Sequence, residues 1–365
     1  MWDDAPWRGF PALRGDVVAD ACVVGLGGSG LAAVQVLTDR GLRVVGIDAG
    51  TVAGGAAGRN GGFLLAGPAD FHHDAVRTVG RERAVSLYRR TLDEIDRMIG
   101  ETPEAIRRTG SLRVAESDDE LADCREQLEA MRRDQLPVEW YQGTEGTGLL
   151  IPTDAVFQPL ARCRRLAARA AEAGAMLHEQ TMATTISGTA VVTPGGTIRC
   201  GAVIVAVDGR LERLLPELEG RVRSARLQML ATAPTDEVHI PRAVYSRYGY
   251  EYWQQLPDGR VILGGFRDRG GEGEWTDVAE PAEPVQSLLE QHLRTRVGVQ
   301  APITHRWAGV VGYTPNGVPI LEEVRPRVWG VGGYSGTGNV VGAICGRAAA
   351  QLLLGEAAPD ADLLQ

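Results

Sequence analysis

The apolar positions of this 365-residue chain change rhythm along its length. Residues 19–48 read as strand, helix, strand: an apolar run ending at Val23-Val24, a glycine-rich turn, a helix, then Arg43-Val44-Val45-Gly46-Ile47-Asp48, which ends on an acid. From Val76 to Met98 apolar residues recur at helical spacing among many Arg and Glu, which predicts an amphipathic helix. A strand is predicted at 109–115. A polar helix follows at 117–133, opened by Ser117-Asp118-Asp119-Glu120 in the manner of a capping box. A helix at 159–173 stops at Gly174, and 200–207 reads as a buried strand. The pattern then becomes strand-like over 222–233, 243–255 and 260–266, with turns such as Pro257-Asp258-Gly259, which predicts an antiparallel sheet. Residues 270–284, rich in Gly, Glu and Pro, read as a loop before a helix at 285–297. A last strand, Val328 to Tyr334, leads into a helix rich in Ala and Leu that reaches Leu354.

The first turn carries chemistry. In Gly25-Leu26-Gly27-Gly28-Ser29-Gly30, Gly25 permits the tight turn, Gly27 admits a pyrophosphate close to the backbone, and Gly30 lets the helix approach the strand. The helix N-terminus offers free N–H groups and the positive end of its dipole. Asp48, about 18 residues after Gly30, stands where an acid would meet a ribose, with Ala49 beside it. Together these predict dinucleotide binding. The motif alone does not choose between NAD and FAD.

Two further stretches bear on that choice. Val52 to Gly62 holds five glycines in eleven residues, a composition that suits a surface loop or a backbone lying flat against a ring system. It includes Gly58, Arg59, Asn60, Gly61 and Gly62. Near the C-terminus, Gly333-Tyr334-Ser335-Gly336-Thr337-Gly338-Asn339 forms a second strand, glycine turn and helix, whose N-terminus suits the negative edge of a reduced flavin. A pure NAD dehydrogenase has no evident use for it.

The ordered set resembles the D-amino-acid oxidase and glycine oxidase family of FAD-dependent enzymes, and within it the bacterial gamma-glutamylputrescine oxidase-like branch. The carrying residues are Gly25 to Gly30 with Asp48, Gly58 to Gly62, Tyr313-Thr314-Pro315-Asn316-Gly317 and Gly333 to Asn339. Thr109 to Ala115 and Val203-Ile204-Val205-Ala206-Val207-Asp208-Gly209 also fit. The resemblance implies a mixed α/β fold: a Rossmann-like FAD-binding domain of the glutathione-reductase kind, with an inserted α+β substrate domain on an antiparallel sheet. The expected division gives 1–75, 145–220 and 300–365 to FAD, and 76–144 with 221–299 to substrate. It also implies FAD contacts at Ala183 and Gly209.

Composition changes the picture by exclusion. The net charge of −9 supplies no basic surface for nucleic acid. No apolar run approaches the roughly 20 residues of a membrane span, and the acidic start lacks the look of a signal peptide. Five scattered cysteines, with no C-x-x-C pair, suit a reducing cytoplasm and remove the dithiol of a disulfide reductase. His72-His73 reads as a surface pair, since no acid or Cys stands at ligand spacing.

For catalysis, Arg247 to Gln255 reads as one strand with Tyr248, Tyr250, Tyr252 and Gln254 on one face and Arg247, Glu251 and Trp253 on the other. A well-packed sheet and an aromatic wall opposite the flavin both explain it. In the resembled family this strand carries cavity tyrosines, which implies Tyr252 first and Tyr250 second. Glu251 reads as an exposed sheet residue, with a cationic-amine anchor as the alternative. Arg59 and Asn60 face either the flavin N5 edge, the substrate or, for Arg59, the pyrophosphate. Glycine oxidase-like members place a carboxylate-binding Arg shortly after Trp-Ala-Gly, where this chain has Val310-Val311-Gly312; Thr337 stands where the branch often has His. The Cys that sarcosine oxidase-like members use to link flavin is absent, so FAD is expected to be non-covalent. The expected reaction is hydride transfer from the α-carbon of a primary or secondary amine, or of an amino-acid derivative, to flavin N5, giving an imine that hydrolyses, with oxygen as acceptor. An amine or D-amino-acid dehydrogenase using a quinone or carrier, and a flavin protein without turnover, are the alternatives.

Overall fold

The structure is a computed structural model that describes residues 1–3 and 6–364. It forms two compact units, each assembled from separated stretches. One comprises 2–59, 159–225 and 311–365; the other comprises Met1, 60–158 and 226–310. The divisions fall at 59/60, 158/159, 225/226 and 310/311 rather than at the expected 75/76, 144/145, 220/221 and 299/300. The displacement has a local cause: Phe63–Leu64 pairs with Ala155–Phe157, which pairs in turn with Ile106–Arg107, so both flanking stretches join the second unit.

The first unit holds a six-stranded sheet in the order Met176–His178, Val44–Ile47, Ala21–Val24, Ala202–Val205, Val328–Gly332, Ile320–Arg325. All neighbours are parallel except the last pair. Ala21–Val24, Val44–Ile47 and Ala202–Val205 are buried at every position, the pattern of a parallel sheet covered on both faces. The helices Gly28–Asp39 and Val341–Leu353 lie together, so close that a Cβ on Gly346 would stand 2.0 Å from the Ser29 carbonyl oxygen. A smaller sheet, absent from the sequence reading, joins Val17–Val18 to strands Gly196–Arg199, Ala190–Thr193 and Thr185–Ser187. The irregular N-terminal arm is fixed by Glu179, whose carboxylate accepts from Trp7 Nε1 (3.0 Å), Phe10 N (2.8 Å) and Val52 N (2.6 Å).

The second unit is built on an eight-stranded sheet. Its order is Ile303–Tyr313, Arg223–Thr232, Val261–Gly265, Glu251–Gln255, Ala243–Ser246, Ser111–Val114, Gly146–Ile151, Glu139–Gly143. From Arg223–Thr232 onward the pairs are antiparallel except Ala243–Ser246, which runs parallel to Ser111–Val114. One face buries Leu112, Val114, Leu230, Val244, Trp253 and Leu263 against Val285, Leu289 and Leu293. The other carries Ala243, Tyr245 and Tyr252 with Phe63 and Val156.

Several predicted elements take a different form here. The helix expected over 76–98 is two helices, His72–Val79 and Arg81–Glu101, broken at Gly80, whose φ of +84° a helix cannot continue. The helix expected over 285–297 runs from Val285 to His292 and then widens into a looser turn, Leu293–Val297. The 270–284 loop begins as tight helical turns at Arg267–Glu274. Glu274 is buried and pairs with Arg226 (2.7 Å) and Gln228, which fixes that stretch to the sheet. The helix Asp118–Arg133 is capped as expected by Ser117 Oγ, which accepts from Glu120 N. Glu120 reaches back to Glu116 N rather than to Ser117.

The histidine pair is not at the surface. His72 and His73 are both buried, and His72 Nε2 meets Asp134 Oδ2 at 2.6 Å, an acid 62 residues away in sequence. Among the described residues no group of three potential metal ligands gathers.

Candidate cofactor and substrate site

In the first unit the glycine turn is tight and brings its helix close to the strand, as the spacing predicts. Gly25 has a φ of +103°, and a Cβ there would come within 2.4 Å of the Ala206 carbonyl oxygen. A Cβ on Gly30 would stand 1.8 Å from the Gly25 carbonyl, so only glycine lets the helix start this close to the strand. Gly28 faces open space, and Gly27 lies 3.3 Å, measured from an added Cβ, from Ala57. Gly27 gives the helix no side-chain cap, Ser29 is buried, and no acid stands in the first helical turn. A helix start without cap or counter-charge, cradled by glycines, fits a pyrophosphate.

Asp48 closes the turn. Its Oδ2 accepts from Leu26 N and its Oδ1 from Gly50 N, each at 2.8 Å, and burial raises its pKa despite these bonds. Each oxygen keeps a second lone pair, so ribose hydroxyls can still be met. Ala49 follows it at the strand's end, where Thr181 N and Gln180 N donate to the carbonyls of Asp48 and Gly50. Ala183 is buried in the core beside Ile186 and Val191.

The loop 51–58 folds onto the glycine turn, with Ala53 N donating to the Leu26 carbonyl. A Cβ on Gly58 would stand 2.3 Å from the Ala53 carbonyl oxygen. Arg59 is exposed and its Nε donates to the Gly54 carbonyl at 2.8 Å, so the side chain has a local partner that the surrounding glycines did not suggest.

The second glycine turn is held by a residue that the sequence reading quoted within a strand but gave no role. Asp208, with a φ of +48°, accepts from Gly312 N (3.0 Å), Gly333 N (2.9 Å) and Tyr334 N (3.4 Å). Burial pushes its carboxyl up to about 6. Gly209 sits beside it, where a Cβ would stand 3.1 Å from Gly312 N. Gly333, Ser335 and Gly336 all have positive φ. Ser335 N donates to the Gly312 carbonyl and Thr337 Oγ1 to the Tyr334 carbonyl. The Tyr334 ring is buried against Gly338 and Gly342, and Asn339 leads toward Val341–Leu353. The structure thus joins Gly209, Gly312 and the turn from Gly333, three stretches far apart in sequence.

In the second unit Asn60, Gly61 and Gly62 form a compact corner. Asn60 Oδ1 accepts from Gly62 N (2.9 Å), and Gln254 Nε2 donates to the Gly61 carbonyl (2.6 Å). A Cβ on Gly61 would lie 3.1 Å from the Tyr252 ring. Tyr252 stacks on Tyr245 at 5.8 Å with 30° between the rings, and meets Phe63 edge-on. Gly264 leaves the space that this ring fills: a Cβ there would stand 2.5 Å from it.

The single strand expected over 243–255 is instead a hairpin, Ala243–Ser246 and Glu251–Gln255, turned at Arg247–Gly249. Tyr248 and Tyr250 therefore leave the face of Tyr252. Both are exposed, and Tyr250 lies under the Arg247 guanidinium at 5.0 Å. Glu251, expected at the surface, is 2% exposed and paired with Arg247 at 2.6 Å, so its charge is spent on the turn.

The profile of the family described as FAD dependent oxidoreductase (DAO) matches residues 20–352. A probable oxidoreductase, OrdL, of Rhizobium meliloti is 30% identical over 98% of this chain and 87% of its own length. The gamma-glutamylputrescine oxidoreductase of Escherichia coli is 27% identical, covering 95% of this chain and 86% of its own. Among solved structures, glycine oxidase from Geobacillus kaustophilus superposes with a TM-score of 0.76 at 20% identity over 93% of this chain and 96% of its own. L-proline dehydrogenase from P. horikoshii gives 0.77 at 19%, over 95% of each. The fold is theirs, and with the glycine cradle and the matched profile the chain belongs to the DAO family of FAD-dependent oxidoreductases.

Proposed function

We propose that this protein oxidises a primary or secondary amine, with oxygen as the final electron acceptor. Non-covalent FAD is held by Gly25 to Gly30, Asp48, Gly58 and Gly333 to Asn339. Held there, FAD would supply the acceptor for a hydride from the amine's α-carbon and the route by which its electrons reach oxygen. The protein's residues hold and dry the substrate. Tyr252, packed on Tyr245 and Phe63, gives an apolar wall with a phenol at its edge, which suits the neutral form of an amine. Gln254 fixes Gly61 and Gly62 so that Tyr252 keeps its place. As the α C–H bond breaks, the nitrogen lone pair closes a C=N bond; water adds to this imine, and the C–N bond breaks to release the carbonyl product together with ammonia or the remaining amine.

The observation that carries the reading is the fit of the Tyr252 ring against Gly61 and Gly264. The amine class draws on the relative named for gamma-glutamylputrescine. Five unpaired, buried cysteines suit the cytoplasm as the place of action.

Anaerobic titration of the holoprotein with polyamines, N-methylated amines and amino acids tests it. Flavin absorbance should bleach with an amine that lacks an α-carboxylate, and bleaching by α-amino acids alone would overturn the substrate class. Readmitted air should restore the yellow form quickly. Slow recovery in air with fast dye reduction would move the acceptor to a quinone or carrier. Tyr252→Phe should lower turnover or raise KM severalfold while FAD stays bound; unchanged kinetics would remove Tyr252 from the site.

A further inference from the structure

We propose that the N-terminal arm over 7–13 is a clasp on the cofactor loop, and that Glu179 couples its docking to the binding of FAD. The inference rests on the placement of FAD at Asp48 given above and involves no amine.

The arm forms neither helix nor strand, so individual bonds must hold it. Four of them reach one short stretch, the end of the strand Met176–His178 and the residues just beyond. Trp7 Nε1 donates to Glu179 Oε1 (3.0 Å), Phe10 N to Glu179 Oε2 (2.8 Å) and Leu13 N to Thr181 Oγ1 (2.9 Å). His178 Nδ1 meets the Pro11 carbonyl oxygen at 2.9 Å. Gly9 lets the arm settle this closely: its φ is +68°, and a Cβ there would stand 2.3 Å from Glu179 Oε2.

The same stretch holds the cofactor side. Asp48 N donates to the His178 carbonyl (2.9 Å), Gln180 N to the Gly50 carbonyl (2.7 Å) and Thr181 N to the Asp48 carbonyl (2.7 Å). Val52 N donates to Glu179 Oε1 at 2.6 Å, the oxygen that also takes Trp7. One residue on, Ala53 N reaches the Leu26 carbonyl of the glycine turn at 3.0 Å. Glu179 therefore stands between the arm and the loop that follows Asp48.

Burial of its charge turns this contact into a coupling. Glu179 is 3% exposed, and among the described residues three N–H groups and no cation meet its carboxylate. Arg164 lies over the Trp7 ring at 5.4 Å, but it pairs with Asp3 at 2.6 Å. A buried carboxylate depends on every donor it has, and two of these three belong to the arm. When the arm leaves, the carboxylate must turn toward water and Val52 N loses its partner. Such coupling is reciprocal: the factor by which the docked arm tightens FAD is the factor by which FAD tightens the arm.

Hydrogen exchange of the wild-type chain, with and without saturating FAD, reads one direction. The amides of Phe10 and Leu13 should exchange about tenfold more slowly with FAD bound, while Gly355 N, at the C-terminal end of Val341–Leu353, keeps its rate. Flavin fluorescence during titration of the apoprotein with FAD reads the other. Gly9→Val and Glu179→Ala should each weaken binding by that same factor, and the double variant by no more. Arm exchange that ignores FAD, slowing of equal size at Gly355, or losses that add in the double variant each overturn the clasp. Should a variant fail to fold, exchange in the wild type decides alone. FAD that binds without slowing the arm leaves the cofactor site standing and removes the clasp. A wild type that binds no FAD overturns the cofactor placement, and the clasp with it.

Discussion

At the scale of single residues, buried carboxylates do the work that the sequence leaves unmarked. Asp208 gathers three backbone N–H groups and is held near 6 by burial, above the ordinary carboxylate value of 3.8. A folded-state pKa above the unfolded one means the folded protein binds more protons between about pH 4 and 6, so stability falls as pH rises through that window. Asn at 208 cannot ionise. Urea midpoints of wild type against Asp208→Asn, at pH 4.5, 5.5 and 7, should show the wild type losing of order 2–3 kcal/mol relative to the variant across the window. A constant difference would place the shift elsewhere. Gly264→Ala tests the role proposed for Tyr252: a Cβ 2.5 Å from the Tyr252 ring must displace it, so KM should rise several-fold while FAD content holds. Asp208 stood inside a recognised strand-and-glycine stretch, yet nothing local says that its carboxylate turns inward. Glu251 and His72 were misplaced for the same reason, since their partners Arg247 and Asp134 depend on a turn and on tertiary packing.

At the scale of elements, the strands and helices that periodicity marked fall within a few residues of those observed, and the marking failed where a turn lacked its usual residues. Arg247 and Tyr248 both take positive φ, a conformation disfavoured for side chains of that size, so alternation seemed to run through the hairpin. The structure supports them from outside: Glu120 Oε1 accepts from Tyr248 N, Asp123 accepts from Tyr248 Oη, and Arg247 pairs with Glu251 and Asp268. Glu120 serves the helix start and this turn together. Glu120→Ala should therefore cost about 1–3 kcal/mol in urea unfolding, more than the ~1 kcal/mol of a lone cap. A loss no greater than that of Ser117→Ala would mean the turn stands without it.

At the scale of the whole molecule, the parallel-sheet unit was the more legible because its chemistry lies in short glycine motifs that follow strands. What escaped includes the small sheet at 185–199, the strands at 139–151 and 303–325 and the short strands Phe63–Leu64, Ala155–Phe157 and Met176–His178, whose partners lie far away in the chain. The strand order of the parallel sheet has a consequence for how the protein is made. Ala202–Val205 sits between Ala21–Val24 and Val328–Gly332, and the amides that Asp208 gathers belong to Gly312, Gly333 and Tyr334. A ribosome that has passed residue 300 has delivered the first glycine turn but neither the closing strand nor the second turn. With the second turn holding FAD as proposed, nascent chains halted near residue 300 should emerge colourless where full-length ones emerge yellow, making capture of FAD an event of late translation.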